Sequence, residues 1–487
     1  MKFKKIIAIL LAALMVFAVS GCSNGDSDTD TVSSDGRRIL RVTYLKAGYG
    51  DAVFTALANK FMKKYPDVLV KLYPDENIDS NAETQLTSGK NVKDVYYASS
   101  WGAVRRWAVK GYVEDITELY TTVEVEDGKT INDVIMPHVK DTCKLYDSYW
   151  AIPNEASVNG LIYNEDMFEK YGWKVPTTTK ELLDLCDQIV DAEIKWVDER
   201  GNTTNTKITP LVFGGSGNDG YWNAMLNVWW LQYSGKDKLD TFSKFESKEV
   251  YQDEGRLEAL KVFRKVVFDS ISDYAPANVM SKDAKTAQLD FLRGKAAMIP
   301  CGSWFETEMS SAINRFAKNM SFKMMATPMI TDNVGNSLAK DENVNYLWDG
   351  TTTNWFIPKG ELNASVRNVD DAKKWISFMC TQDALNIWTT HTGGIRPYKY
   401  DTSKTSSVYA SATTFSKSLM DVWNSAVPYR FVSQDKKAIL GYATLWPQQR
   451  SPFVDMYNNS RSAAKYYEND IEFVNKEWDR WCSVTEI

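Results

Sequence analysis

Histidine is nearly absent from this chain: only His138 and His391 occur in 487 residues, and they form no HxxH pair. A histidine-based zinc site is therefore not expected, no other metal site is marked, and each ring reads as structural. The five cysteines beyond Cys22 (Cys143, Cys186, Cys301, Cys380 and Cys482) lie at least 43 residues apart. No CxxC pair is available for metal or redox chemistry, and so odd and scattered a set reads as mostly buried free thiols, with one disulfide left open. The glycine-rich run FGGSGNDG (213–220) lacks the Gly-Lys-Ser/Thr of a phosphate-binding loop, and there is no nucleophile elbow. No cofactor is implied. Basic residues (57) fall short of acidic ones (63), for a net charge of −6. A mildly acidic, well-mixed surface argues against nucleic acid as a partner. After residue 19 no segment is apolar enough to span a bilayer.

The N-terminus carries a different message. Lys2, Lys4 and Lys5 precede an uncharged apolar run of 14 residues, Ile6 to Val19. That run suits the core of a signal peptide and is short of the ~20 residues a membrane helix takes. It ends in Val19-Ser20-Gly21-Cys22, which resembles the bacterial lipobox. The resemblance implies a leader over 1–21 and a diacylated Cys22 as the mature N-terminus, and two acyl chains suffice for stable anchoring. The next 14 residues, Ser23 to Gly36, hold one apolar side chain, Val32, and read as a flexible tether. Anchor and tether together place the folded part at the outer face of the cell membrane; a Gram-positive surface is favoured over a periplasm, although the lipobox occurs in both.

Roughly 450 residues remain, enough for two lobes and long for one core. Residues 39–45 (ILRVTYL) read as a buried strand, and Asp51 as the cap of a helix with Val53, Leu57 and Phe61 on one face. Val68–Tyr73 and Asp94–Ala98 read as the second and third strands. Thr178 and Glu181 form a capping box, and Tyr467, Ile471, Val474, Trp478 and Trp481 make the stripe of a last helix. Strand–helix alternation of this kind implies an α/β fold with a mainly parallel sheet and ligand at the strands' carboxyl ends. Seventeen Trp and 25 Tyr exceed what a core calls for. Sugar rings stack on such faces, although most of these aromatics must be core.

Several segments, taken in order, resemble extracellular solute-binding proteins of the sugar-binding, maltose-binding-protein-like type. FMKKYPDVLVKLY (61–73) is similar to the family's helix, proline and second strand, and Leu86–Val95 to its approach to the third. YWAIPNEASVNGLIYNEDMFEKYGWKVPTTTKELL (149–183) carries the most specific pattern. FLRGKAAMIPCGSWF (291–305) is similar to a strand that ends in Gly-x-Trp, and AKKWISFMCTQDALNIW with GGIRP (372–397) to a helix pair and return. The resemblance implies a two-lobed periplasmic-binding-protein-like fold of type II with a ligand cleft between the lobes. The expected N-terminal lobe is 37–155 with 345–393, and the C-terminal lobe is 156–344 with 394–487. Crossings are expected near 153–160, 328–350 and 393–397. The implied role is binding of a carbohydrate, without catalysis, by a monomer that delivers it to ABC transporter permease subunits.

Candidate ligand residues follow from the same resemblance. Trp304 is the foremost stacking platform, with Gly302 permitting close approach and Ser303 offering a hydroxyl. Trp101 is a second platform, and Tyr49 sits in a glycine-flanked turn after the first strand. Asp75, Asn77 and Asp79 follow the second strand. Asn159 lies in the first crossing, with Asn154 and Glu155 beside it. Tyr221 and Trp222 follow the glycine-rich loop. Trp348 and Asp349 stand at the second crossing and Arg396 at the return; each of the last two serves equally as a sugar-hydroxyl partner or as half of a hinge ion pair. The alternative for every aromatic is a place in the core. Two other functions compete: the same fold holding a polyamine or peptide, with Asp75, Asp79, Glu155 and Asp349 as convergent carboxylates, and a glycoside hydrolase using a carboxylate pair. The family's charged residues in the first and third loops are replaced here by Gly48-Tyr49 and Ser100-Trp101, so maltose specificity is not carried over.

Overall fold

The computed structural model describes residues 30–483 apart from 47, 99–100, 217–219, 245–246, 270, 331–340, 342–343, 351–352, 432–451 and 459–460. The leader and Cys22 lie outside the described residues. In chain order the principal strands are β1 (Arg38–Leu45), β2 (Val68–Asp75), β3 (Val95–Ala98), β4 (Ile152–Pro153), β5 (Asn159–Asn164) and β6 (Thr209–Leu211). They continue with β7 (Ala296–Gly302), β8 (Phe322–Met325), β9 (Tyr346–Trp348), β10 (Asn354–Phe356) and β11 (Val427–Tyr429).

Two sheets form the centres of two lobes. The first has the order β2-β1-β3-β10-β4 and the second β6-β7-β5-β8. Six of the eight residues of β1 are buried, because helices cover both faces of a parallel strand. The helix Ala52–Lys64 buries Val53, Leu57 and Phe61 against it, as the periodicity predicts. Asp51 stands at that helix's N-cap but makes no capping bond; its carboxylate accepts the Tyr44 hydroxyl at 2.9 Å instead.

The expectation of mainly parallel sheets needs correction. β1 runs parallel to β2 and β3, but β10 is antiparallel to both of its neighbours. In the second sheet only β6 and β7 are parallel, while β5 opposes β7 and β8. The physical reason is connectivity. β10 enters the first sheet from the other lobe, and β5 leaves it for the second, so neither arrives through the helical crossover that enforces parallel pairing. Just before β1 the chain makes a local turn, with Val32 bridging Arg38 and Ser33 Oγ donating to the Arg37 carbonyl at 2.9 Å. Serine and aspartate side chains fold a turn locally even where apolar residues are few.

The chain passes between the sheets through residues 154–158, which join β4 to β5, and again between β8 and β10. It returns after the helix Gln382–Thr392, where Ile395 bridges Ala156. The Thr178–Glu181 capping box forms as read, and the helix Ala463–Ser483 packs Val474 into the second lobe. Cys143, Cys186, Cys301 and Cys380 are free and buried.

Candidate functional site

A cavity of about 410 Å³ opens between the lobes, where the crossing 154–158, the end of β7 and the approach to β10 converge. One wall is the helix Gly220–Ser234. Gly220, Asn223, Ala224 and Asn227 line the cavity from positions i, i+3, i+4 and i+7, which is one helical face. The other faces of that helix carry Trp222, Met225 and Trp229, all fully buried in the second lobe. Asn223 and Asn227, the two amides on the cavity face of this helix, are residues that sequence reasoning missed. Their signal was present in the i, i+4 spacing of Asn223 and Asn227 within GYWNAMLNVWWLQYS.

Opposite lies Trp304, half-buried, at the start of the short helix after β7. Its indole folds back over Gly302, where an added Cβ would stand 2.5 Å from the ring. Only glycine permits that approach. The indole N–H donates to the Tyr221 hydroxyl at 3.1 Å, which fixes the ring's tilt and leaves the rest of its surface to the cavity. Trp348 closes a further side by a similar device, its indole nitrogen 2.8 Å from the position a Cβ on Gly350 would take. Phe431 meets the Trp348 ring edge-on at a centroid distance of 4.7 Å. Two indoles and two carboxamides thus line the same cavity.

The crossing forms the floor. Asn159 lines the cavity and donates through Nδ2 to Ser157 Oγ. Glu155 lines it too, although only 4 % exposed, and its Oε1 accepts from Thr353 Oγ1 at 3.3 Å. Burial raises the Glu155 carboxyl to about 7; the Tyr49 and Thr353 hydroxyls and the Arg396 charge act against that rise, and the Asp349 charge adds to it.

Of the residues expected from sequence, the structure brings Trp304, Trp348, Asn159, Glu155 and Tyr221 to the cavity wall. Tyr49 and Ser303 meet behind it, hydroxyl to hydroxyl at 3.4 Å, both buried. The others lie elsewhere. Trp222 points into the core because its helix turns the asparagine face to the cavity. Trp101 is buried at the head of the helix Trp101–Val109, with the Arg105 guanidinium 5.7 Å from its ring centre. Asp79 sits in the first turn of the helix Ile78–Ser88, away from the cavity wall. Asp349 is fully buried, accepting from the Ser157 amide at 2.9 Å and paired with His138 Nε2 at 3.1 Å. Arg396 is equally buried and donates to the Asn154 and Met379 carbonyls. Both sit at the crossings, and neither belongs to the cavity wall. Among the described residues no group of three or more His, Cys, Asp or Glu is placed to hold a metal ion.

Comparison with known proteins bears on the fold and the family. Residues 47–385 match the family model for bacterial extracellular solute-binding proteins. An ABC transporter extracellular-binding protein of Pyrococcus horikoshii is 25% identical, over 91% of this chain and 93% of its own. The diacetylchitobiose binding protein of Streptomyces coelicolor is 23% identical over 66% of each. Among solved structures, a chitin oligosaccharide binding protein superposes with a TM-score of 0.60 at 16% identity, covering 90% of this chain and 98% of that one.

Proposed function

The chain belongs to the family of bacterial extracellular solute-binding proteins, and from that membership and the cavity we propose that it binds a di- or oligosaccharide and delivers it to the permease of an ABC importer. The observation that carries this reading is Trp304, laid over Gly302 and lining the same cavity as Asn223 and Asn227. An aromatic platform takes the apolar face of a sugar ring, while carboxamides and hydroxyls pair with its ring oxygens and hydroxyls. Lobes that meet around such a ligand bury most of its surface, and ligand then favours the closed state by its differential affinity. The lobe boundaries that go with this role are 37–155 with 345–393, and 156–344 with 394–487.

The competing occupants find less support. A polyamine calls for several convergent carboxylates, and glycoside hydrolysis for a pair. Among the described residues the cavity wall carries one, Glu155. Asp75 is turned to its own loop, accepting from the Asn77 amide and the Asn81 side chain. Membrane attachment through a diacylated Cys22, at a Gram-positive surface, belongs to the same proposal and rests on the Ser20-Gly21-Cys22 sequence after an apolar leader.

A thermal-shift screen tests the reading, with N,N′-diacetylchitobiose first among the saccharides because two similar proteins carry that class in their names. Spermidine and short peptides run alongside. Ligand at 100 times its dissociation constant adds about 2.7 kcal/mol to stability. A rise in midpoint with a saccharide supports the proposal; a rise confined to spermidine or peptide replaces the sugar and keeps the transport role.

A further inference from the structure

Glu155 has one oxygen without a partner. Its Oε1 takes a long bond from Thr353, whereas Oε2 is shielded from solvent and lacks any group in hydrogen-bond geometry. The side chain is more than nine-tenths buried and lines the cavity. A charged carboxylate so placed is disfavoured unless something donates to it.

The surrounding groups supply little of that donation: the Tyr49 and Thr353 hydroxyls act on this carboxyl, but none meets Oε2 in hydrogen-bond geometry. Tyr49, from the turn after β1, and Tyr97, from β3, are phenols whose burial holds them well above their ordinary range, so both stay neutral. Asp349, after β9, is held ionised: burial pushes it up, but the His138 bond, the Arg430 charge and the Ser157 amide bring it below the usual carboxylate range. Its charge opposes a second one on Glu155. Arg396, at the return crossing, is the nearby cation: its Nε and Nη1 donate to the Asn154 and Met379 carbonyls, its Nη2 has no hydrogen-bond partner, and it acts on Glu155 through its charge alone. Glu155 therefore keeps its proton below about pH 7 in the ligand-free protein, and an incoming donor is what would favour its loss.

We propose that Glu155 is a specificity-determining carboxyl of the cleft, which accepts a hydroxyl hydrogen bond from the bound saccharide as it gives up its own proton to solvent. The step is balanced: protonated Glu155 and a sugar hydroxyl become carboxylate and hydrogen-bonded sugar, with one proton passed to water and no sugar bond broken. Affinity then rises with pH until Glu155 is ionised in the free protein, and a saccharide with no donor at that position is refused. The inference rests on the sugar-binding reading above.

Calorimetry on the purified protein tests it, using N,N′-diacetylchitobiose, maltose and raffinose at pH 5.5 and 8.0 in two buffers of different ionisation enthalpy. With a carboxyl near 7, the sugar that binds should do so about 30-fold more tightly at the higher pH, releasing close to one proton at the lower. Glu155→Gln should bind with no such pH dependence. The proton count in the wild-type protein stands without the variant, should that variant fold poorly. A wild-type affinity equal at the two pH values, with no proton released, overturns the inference and leaves sugar binding intact. A pH dependence retained in Glu155→Gln overturns it as well. Absence of binding by all three sugars at both pH values overturns the inference together with the reading it rests on.

Discussion

The Tyr49 hydroxyl, carried by the first lobe, lies 3.4 Å from Ser303 Oγ at the end of β7 in the second. Gly48 and Gly50 on either side adopt left-handed φ of +66° and +69°, which lets the turn present a buried tyrosine across the lobe boundary. The contact lies directly behind the cavity, so it joins the lobes where a ligand would draw them together. Tyr49→Phe keeps the ring against Trp388 and removes the bond. A neutral hydrogen bond contributes about 0.5–1.5 kcal/mol. The expected outcome is a several-fold loss of saccharide affinity, measured by titration of tryptophan emission, with a small change in the ligand-free thermal midpoint.

Trp304→Ala removes the platform without opening the core, because the ring is only half-buried. Tryptophan anchors at binding sites are worth about 2 kcal/mol or more, so affinity should fall by more than tenfold. Gly302→Ala should cause a comparable loss with the indole still present, since its Cβ would stand 2.5 Å from the ring. The same titration reads both variants. Unchanged affinity in both would remove Trp304 from the site.

Trp222→Ala should behave in the opposite manner. The side chain is fully buried in the second lobe, its ring centre 5.4 Å from that of Phe213. Large-to-small replacement of a buried aromatic costs about 3–5 kcal/mol. Denaturant unfolding should show that loss, while the folded fraction binds saccharide as the wild type does.

Asp349 gives a pH signature. Its native carboxyl is depressed despite burial, so its ionised form contributes stability above the unfolded value, and the contribution is lost as pH falls through the native value. Asp349→Asn should therefore be less stable than wild type at pH 7, and the gap should narrow on acidification below about 4. Glu155 has the reverse sign. Its raised carboxyl favours the fold below the unfolded value, and that advantage fades as pH rises towards 7. Glu155→Gln should accordingly gain on wild type between about pH 4.5 and 7. Thermal midpoints across pH measure both.

Cys22→Ser should abolish acylation and release the protein from the membrane fraction into the medium, as read by fractionation and metabolic labelling with palmitate. Retention of the variant in the membrane would contradict the anchor.

Much of the fold was legible because its elements carry strong local signals. Val53, Leu57 and Phe61 recur at helical spacing, and the Thr178–Glu181 box marks a helix start; both form as read. The antiparallel β10 was not legible, since its three residues Asn354–Phe356 gain their place only from pairing with Tyr96–Ala98, more than 250 positions away. The site divides in the same way. Trp304 could be found because the Gly302-Ser303-Trp304 end of its strand resembles the family's Gly-x-Trp pattern. Trp222 could not be told from Asn223 by residue type, and the rotation of the helix Gly220–Ser234 decides which one faces the cavity. Asp349 and Arg396 have the chemistry of sugar ligands, and burial at the crossings commits them to the hinge.

The central claim is one saccharide bound between the lobes against Trp304. Titration calorimetry of the purified protein with N,N′-diacetylchitobiose, maltose and raffinose tests it most directly. The account predicts saturable binding of at least one of them at one molecule per chain, abolished or weakened more than tenfold in Trp304→Ala. Heat and saturation with spermidine or a peptide and none with any saccharide would contradict it.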